Sequence, residues 1–248
     1  MGDKEKIGIP RYGIEASEPH TYSDKERSGL PESYAKLILE IVSKGFQIEE
    51  GIFVDVGGGI GELAKKIEQE SKIKSLAFDY SPVGMMENNV RGVVANATSF
   101  PLPNKVAVIV HAKDIVDHFD DDQLTTFIGE TKRVLINRGK LVITTRNYDT
   151  GFPFFYKNSV SFQVEGVSQT ETLLEGEKYP EVAARLMAIH GRDTVVDVPY
   201  FPRSKEEILN RFSESGIRCN QIIAWKAKEN EPDWWNPKIP RNVMVFSL

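Results

Sequence analysis

The sequence predicts an α/β protein on a doubly wound, mostly parallel sheet, and three observations carry that expectation. Ile52-Phe53-Val54-Asp55-Val56 is a run of β-formers broken only by one acid, as suits a strand covered on both faces. It turns through Gly57, Gly58 and Gly59 into a stretch whose apolar Leu63, Ala64 and Ile67 recur at helical spacing. Further strand-like runs follow at 73–79, 93–95, 106–110 and 140–145, and 217–225 and 242–248 close the chain as an antiparallel pair, which makes seven strands in all.

The elements can be justified in order. Residues 1–29 are polar and turn-rich, with Tyr12, His20 and Tyr22 among charges; they read as a loosely held arm or as a lid over a ligand cleft. A helix follows over 31–44, with Pro31 suited to its first turn, Leu37, Ile38, Ile41 and Val42 in one stripe, and Gly45 at the stop. Arm and helix make an N-terminal segment, 1–46. The second strand ends in Asp79, 24 residues after Asp55, where a doubly wound fold hydrogen-bonds ribose hydroxyls. Tyr80-Ser81-Pro82 then turns the chain into a short helix carrying Met85 and Met86.

After the fourth strand comes His111-Ala112-Lys113-Asp114-Ile115-Val116-Asp117-His118. Polar residues at the C-terminal end of such a strand face the ligand crevice, so they are candidates for the acceptor side, with His111 the better placed general base and His118 a packing residue. Asp120-Asp121-Asp122 read as caps of a helix over 123–136, favoured by its macrodipole, and not as a metal site. Asn137-Arg138-Gly139 is expected to end that helix before the fifth strand.

Residues 150–202 form an insertion after the fifth strand: aromatic at first, strand-like through Val160, Phe162, Val164 and Val167, and helical around 181–189. Its position places it over the acceptor pocket. Core residues 47–149 resume at 203–248, where Ser204 with Glu207 forms a capping box and Gly216 stops the helix.

Composition narrows the function. The chain has 248 residues, 40% hydrophobic and 27% charged, which fits one large domain able to bury a core. A formal charge of −5 argues against nucleic-acid binding, which usually needs a basic face. The single cysteine, Cys219, excludes an internal disulfide and a cysteine cluster for zinc; it reads as a buried, inert thiol. No apolar run approaches a membrane span, and the polar N-terminus lacks a signal region, so a cytoplasmic protein is expected. Lys6 stands where a myristoylation motif wants Ser or Thr.

The glycine spacing bears on the ligand. Counted from Gly57, a dinucleotide fingerprint fails at its sixth position, Glu62; counted from Gly59 it passes with Gly61 and Ala64, which keeps an NAD reading open. The wording V-D-V-G-G-G-I-G also resembles motif I of the class I methyltransferases that use S-adenosylmethionine, which have a Rossmann-like sheet. The resemblance implies cofactor contacts at Asp55, Gly57, Gly59 and Gly61, with the glycines letting the methionine part lie against the backbone. It extends to D-Y-S-P-V-G-M, where Asp79 would hold ribose and Tyr80 stack on adenine. It continues at Asn96-Ala97, where the family commonly has Asp-Ala reading the adenine amino group, and at the terminal hairpin.

Arg146-Asn147-Tyr148-Asp149 resembles the glycine and sarcosine N-methyltransferases, in which the arginine grips the acceptor carboxylate. Asp114 stands where those enzymes hold the acceptor amine with asparagine; a carboxylate there would favour a protonated, unreactive amine. Arg146 reads equally as a strand-end residue paired to Asp149 or Asp117. The reading is an S-adenosylmethionine-dependent methyltransferase acting on a small molecule, with an amine or amino-acid-like acceptor. The alternatives are a non-catalytic S-adenosylmethionine-binding module and an NAD-dependent enzyme.

Overall fold

The computed structural model describes residues 30–44, 51–79, 91–146, 159–164, 167–172, 185, 186, 188–190, 195, 196, 201, 203–228 and 240–248. The arm, Tyr80 with the segment after it, residues 147–158 and the loop at 229–239 lie outside the described residues.

Seven strands form the main sheet: β1 (Ile52–Val56), β2 (Ser75–Asp79), β3 (Gly92–Val94), β4 (Ala107–Lys113), β5 (Leu135–Arg146), β9 (Arg218–Trp225) and β10 (Arg241–Ser247). Their order is β3-β2-β1-β4-β5-β10-β9. Neighbours are parallel from β3 to β5, and β10 is antiparallel to both β5 and β9. The expected seven-stranded, doubly wound sheet with its antiparallel ending is present. β10 is the continuous apolar strand Val243-Met244-Val245-Phe246 because it lies between two others, whereas β9 is an edge with most residues exposed or half-buried.

Side-chain alternation divides the core in two. Phe53, Ile109, Val142, Val243 and Val245 face α1 (Glu32–Ser43) and α2 (Glu62–Ser71), packing with Ile38, Ile41, Leu63 and Ile67. Val54, Val56, Val110, Ala112, Ile143, Met244 and Phe246 face the other way. They pack on α3 (Asp121–Val134) and α4 (Lys205–Glu214) through Leu124, Phe127, Ile208 and Phe212. Fully burying a side chain of this size contributes about 1.5–3 kcal/mol. Pro31 is the N-cap of α1, and Asp120 and Ser204 both form complete capping boxes, with Gln123 and Glu207.

Three expectations differ. The chain passes from α3 directly into β5 at Leu135, so residues 137–139 lie within the strand and not at a helix stop. The backbone N–H groups of Lys105 and Val106 already bond to the carbonyls of Arg133 and Val134, pulling the end of α3 onto the start of β4. The strand read through Val160 to Val167 is a hairpin, β6 (Ser159–Val164) with β7 (Val167–Thr172), the two strands pairing antiparallel with Val164 opposite Val167. With β8 (Val195–Val196) it makes a second, three-stranded sheet. Cys219 is only partly buried, on edge strand β9; burial pushes its thiol pKa up, away from a reactive thiolate. No helix among the described residues is long and apolar enough to cross a membrane.

Candidate cofactor and acceptor site

The glycine turn leaves β1 at its C-terminal end. Gly57, Gly59 and Gly61 have φ of 71°, 54° and 76°, a left-handed conformation that favours glycine. Gly57 lies against Ile115, whose Cγ2 would stand 2.3 Å from an added Cβ. Gly59 is the opposite case: a Cβ there would meet nothing within 4 Å, so its backbone borders open space. The amide of Gly58 donates to the carbonyl of Phe78 at 2.9 Å, which ties the turn to β2. Asp79 accepts from the Gly59 amide through Oδ2 at 2.8 Å. The acid at the end of β2 therefore sits on the glycine turn.

Asp55 and His111 are opposite each other in register on β1 and β4, both on the face toward α1. His111 Nδ1 is 2.7 Å from Asp55 Oδ1, and its Nε2 is 2.6 Å from the Tyr34 hydroxyl. That hydroxyl lies 2.5 Å from Oγ1 of Thr144 on β5. All four residues are buried, and His111 is 1% exposed. Both ring nitrogens of His111, the residue expected as a general base, are engaged inside the fold, between Asp55 and α1. Burial raises the Tyr34 pKa well above the ordinary phenol value, against the lowering effect of its Thr144 hydrogen bond.

Asp114 follows β4 with a left-handed φ of 53°. Its carboxylate accepts from Arg241 Nε, at 2.9 Å to Oδ2 and 3.2 Å to Oδ1, and Lys113 Nζ stands 3.5 Å away. Arg241 is fully buried with its guanidinium 5.7 Å from the ring centre of Trp225. Asp114, expected beside an acceptor amine, is thus held in an ion pair with the first residue of β10. Arg146 ends β5, directly opposite Arg241 in register.

Behind this row, on the α3 face, lies Asp117. Thr145 donates to its Oδ1 at 2.8 Å, and the carboxyl is 1% exposed. Burial raises its pKa to about 7; the Thr145 hydrogen bond lowers it, Asp114 raises it, and the charges of Arg146 and Arg203 lower it. Asn96, expected to read adenine, is exposed after β3, and its Oδ1 accepts from the amide (2.9 Å) and hydroxyl (2.8 Å) of Thr98. Its carbonyl oxygen is engaged in its own turn, and Ala97 packs on the core. No group of three or more His, Cys, Asp or Glu among the described residues is arranged to hold a metal ion.

Sequence reading did not single out Tyr34, Thr144, Thr145 or Arg241. Tyr34 lies 77 residues from His111 and Arg241 127 from Asp114, so no local pattern announces either pair.

Residues 54–143, from β1 into β5, match the methyltransferase domain family. That match covers 90 of the 248 residues. No curated protein matches the sequence. Among solved structures the chain resembles an S-adenosylmethionine-dependent methyltransferase from Clostridium acetobutylicum ATCC 824. That likeness has 13% identity and a TM-score of 0.60, over 90% of this chain and 94% of the other. It also resembles the glycopeptide N-methyltransferase MtfA, crystallised with S-adenosylmethionine, with 10% identity and a TM-score of 0.57 over 93% and 98% of the two chains. A third likeness, at 14% identity and TM-score 0.50 over 85% of this chain and 46% of the other, is to a structure described as a pericyclic reaction enzyme. At such identities the likeness is one of fold.

Proposed function

We propose that this protein is an S-adenosylmethionine-dependent methyltransferase acting on a small anionic acceptor, an amine or amino-acid-like compound carrying a carboxylate. The observation that carries the cofactor half is the turn itself: three left-handed glycines, open space at Gly59, and Asp79 hydrogen-bonded to the Gly59 amide. Asp55 would support the turn, Asp79 would bind ribose hydroxyls, and Tyr80, Asn96 and Ala97 would border the adenine. Because the Asn96 carbonyl is engaged by Thr98, its amide NH2 is the group left to reach toward the base. S-adenosylmethionine, when bound, supplies a methyl group already activated on a sulfonium, so the protein's task is to align the acceptor.

Charge at the ends of β4, β5 and β10 supports an anionic acceptor. Lys113, Arg146 and Arg241 gather there with Asp114 and Asp117, and Asp117 is partly protonated near neutral pH. A positive excess remains, and a guanidinium suits a carboxylate in bidentate geometry. Arg146 is the residue proposed to grip it. Because Arg241 holds Asp114, that carboxylate has a partner other than an acceptor ammonium, which removes the objection that it would keep the amine protonated. The insertion, 150–202, is proposed to cover the acceptor and set substrate choice.

Calorimetric titration with S-adenosylhomocysteine and with NAD tests the cofactor. Binding of NAD alone would overturn the reading. A screen of amines with and without a carboxylate then tests the acceptor: Arg146→Ala is expected to raise KM for carboxylated acceptors at least tenfold and to leave uncharged amines nearly unaffected. A non-methylating role of the fold would show instead as tight cofactor binding with no methyl transfer to any of them.

A further inference from the structure

The buried row Thr144–Tyr34–His111–Asp55 has no part in holding an acceptor, yet it ends beneath the glycine turn. Sheet geometry explains its position. Asp55 and His111 are register partners, and Thr144 pairs with Lys113, two residues beyond His111 on β4, so three polar side chains share the face that α1 covers. Burying four polar groups there is costly unless each finds a partner. In the neutral imidazole, Nδ1–H donates to the Asp55 carboxylate, which can only accept; Nε2 then accepts from the Tyr34 hydroxyl, and the Tyr34 oxygen accepts from Thr144. Tyr34 is held by an edge-on contact with Trp225, ring centres 4.9 Å apart, and Phe53 stacks on His111 at 6.0 Å. At the far end, Asp55 Oδ2 lies 2.9 Å from where a Cβ on Gly58 would stand, so this carboxylate is the floor of the turn.

We propose that Tyr34 is a positioning residue for the cofactor turn: through His111 it fixes the Asp55 carboxylate under Gly58, so that seating α1 and shaping the cofactor cradle are one event. This rests on the turn being the cofactor site. A second link runs the same way: the amide of Leu30, at the entry to α1, donates to Glu62 Oε2 at the start of α2, which the glycine turn leads into, at 3.1 Å. The helix that receives the N-terminal arm is therefore tied to both ends of the glycine turn.

The test is Tyr34→Phe, which removes one oxygen and keeps the ring packing. S-adenosylhomocysteine binding is measured by calorimetry beside thermal unfolding, with Ile38→Val as a control on the same buried face of α1. Tyr34→Phe is expected to raise the dissociation constant roughly three- to tenfold, the loss of the Tyr34–His111 hydrogen bond read at the cofactor. Ile38→Val lowers the unfolding temperature but leaves the constant unchanged. Thr144→Val, one bond further from Asp55, is expected to show a smaller rise of the same sign and serves if Tyr34→Phe does not fold. Tyr34→Phe and Asp55→Asn together should weaken binding by less than the product of their separate effects, since both act through one carboxylate. Unchanged binding in Tyr34→Phe despite a lowered unfolding temperature, or fully independent effects in the double variant, overturns the proposal. Absence of S-adenosylhomocysteine binding in the wild-type protein overturns the cofactor reading itself, and this inference with it.

Discussion

Arg241 holds Asp114 across the exit of the fourth strand: the guanidinium Nε reaches both carboxylate oxygens, at 2.9 Å and 3.2 Å, and the arginine has no exposed surface. The pair joins the last strand of the chain to the strand-end loop where an acceptor is expected. It also holds Asp114 in a left-handed conformation that few side chains tolerate.

Asp114→Ala should therefore destabilise the protein by about 3 kcal/mol, because it leaves a buried guanidinium without its carboxylate. Asp114→Asn should cost less: the amide still accepts a hydrogen bond, and asparagine adopts the left-handed region readily. Urea denaturation of the two variants checks the order, and equal losses would show that the ion pair contributes little.

Gly57 and Gly59 separate strain from ligand contact. Gly57→Ala places a Cβ 2.3 Å from Ile115 Cγ2 at positive φ, and should cost about 3 kcal/mol from strain and overpacking together. Gly59→Ala meets no neighbour and should cost only the left-handed penalty, about 1–2 kcal/mol. Its effect on S-adenosylhomocysteine affinity should exceed its effect on stability. Unfolding curves with and without that ligand distinguish the two.

Asp117 makes stability depend on pH with a definite sign. Its carboxyl is raised by burial from 3.8 to about 7 in the folded protein. Below the unfolded value both states are protonated and its contribution is fully present. As pH rises toward the folded value the unfolded state ionises first, so stability falls from about pH 4 to pH 7 and is flat in this respect above it. Asp117→Asn mimics the neutral form, accepts the Thr145 hydrogen bond, and should flatten that slope. Denaturation midpoints at pH 5 and pH 8 measure it, and a slope unchanged in the variant would assign it to other groups.

Ser204→Ala should destabilise by about 1 kcal/mol, since Ser204 Oγ accepts from the Glu207 amide at 3.1 Å at the start of α4. Ser204→Asp should retain most of that, and Ser204→Gly should lose only part of it. Thermal unfolding of the three variants ranks them; no loss in the alanine variant would show that solvent replaces the cap.

How much was legible depends on where the information lies. The caps at Asp120 and Ser204, the glycine turn and the succession of strands along the chain follow from turn chemistry and periodicity, which neighbours along the chain specify. That β6 and β7 are two antiparallel strands was missed because β-forming valines, Val164 and Val167, stand at both facing ends.

By itself, then, the sequence determined the element types, the strand-turn-helix at Gly57–Gly61 and the acid that closes on it from β2. Only the tertiary structure decided what His111 and Asp114 do. Their residue types allowed a base and an amine ligand; strand register put His111 between Asp55 and Tyr34, and β10 brought Arg241 to Asp114. A hydrogen bond needs its partner within about 3 Å. For groups 56 to 127 residues apart, that proximity is a property of sheet order and not of any local segment.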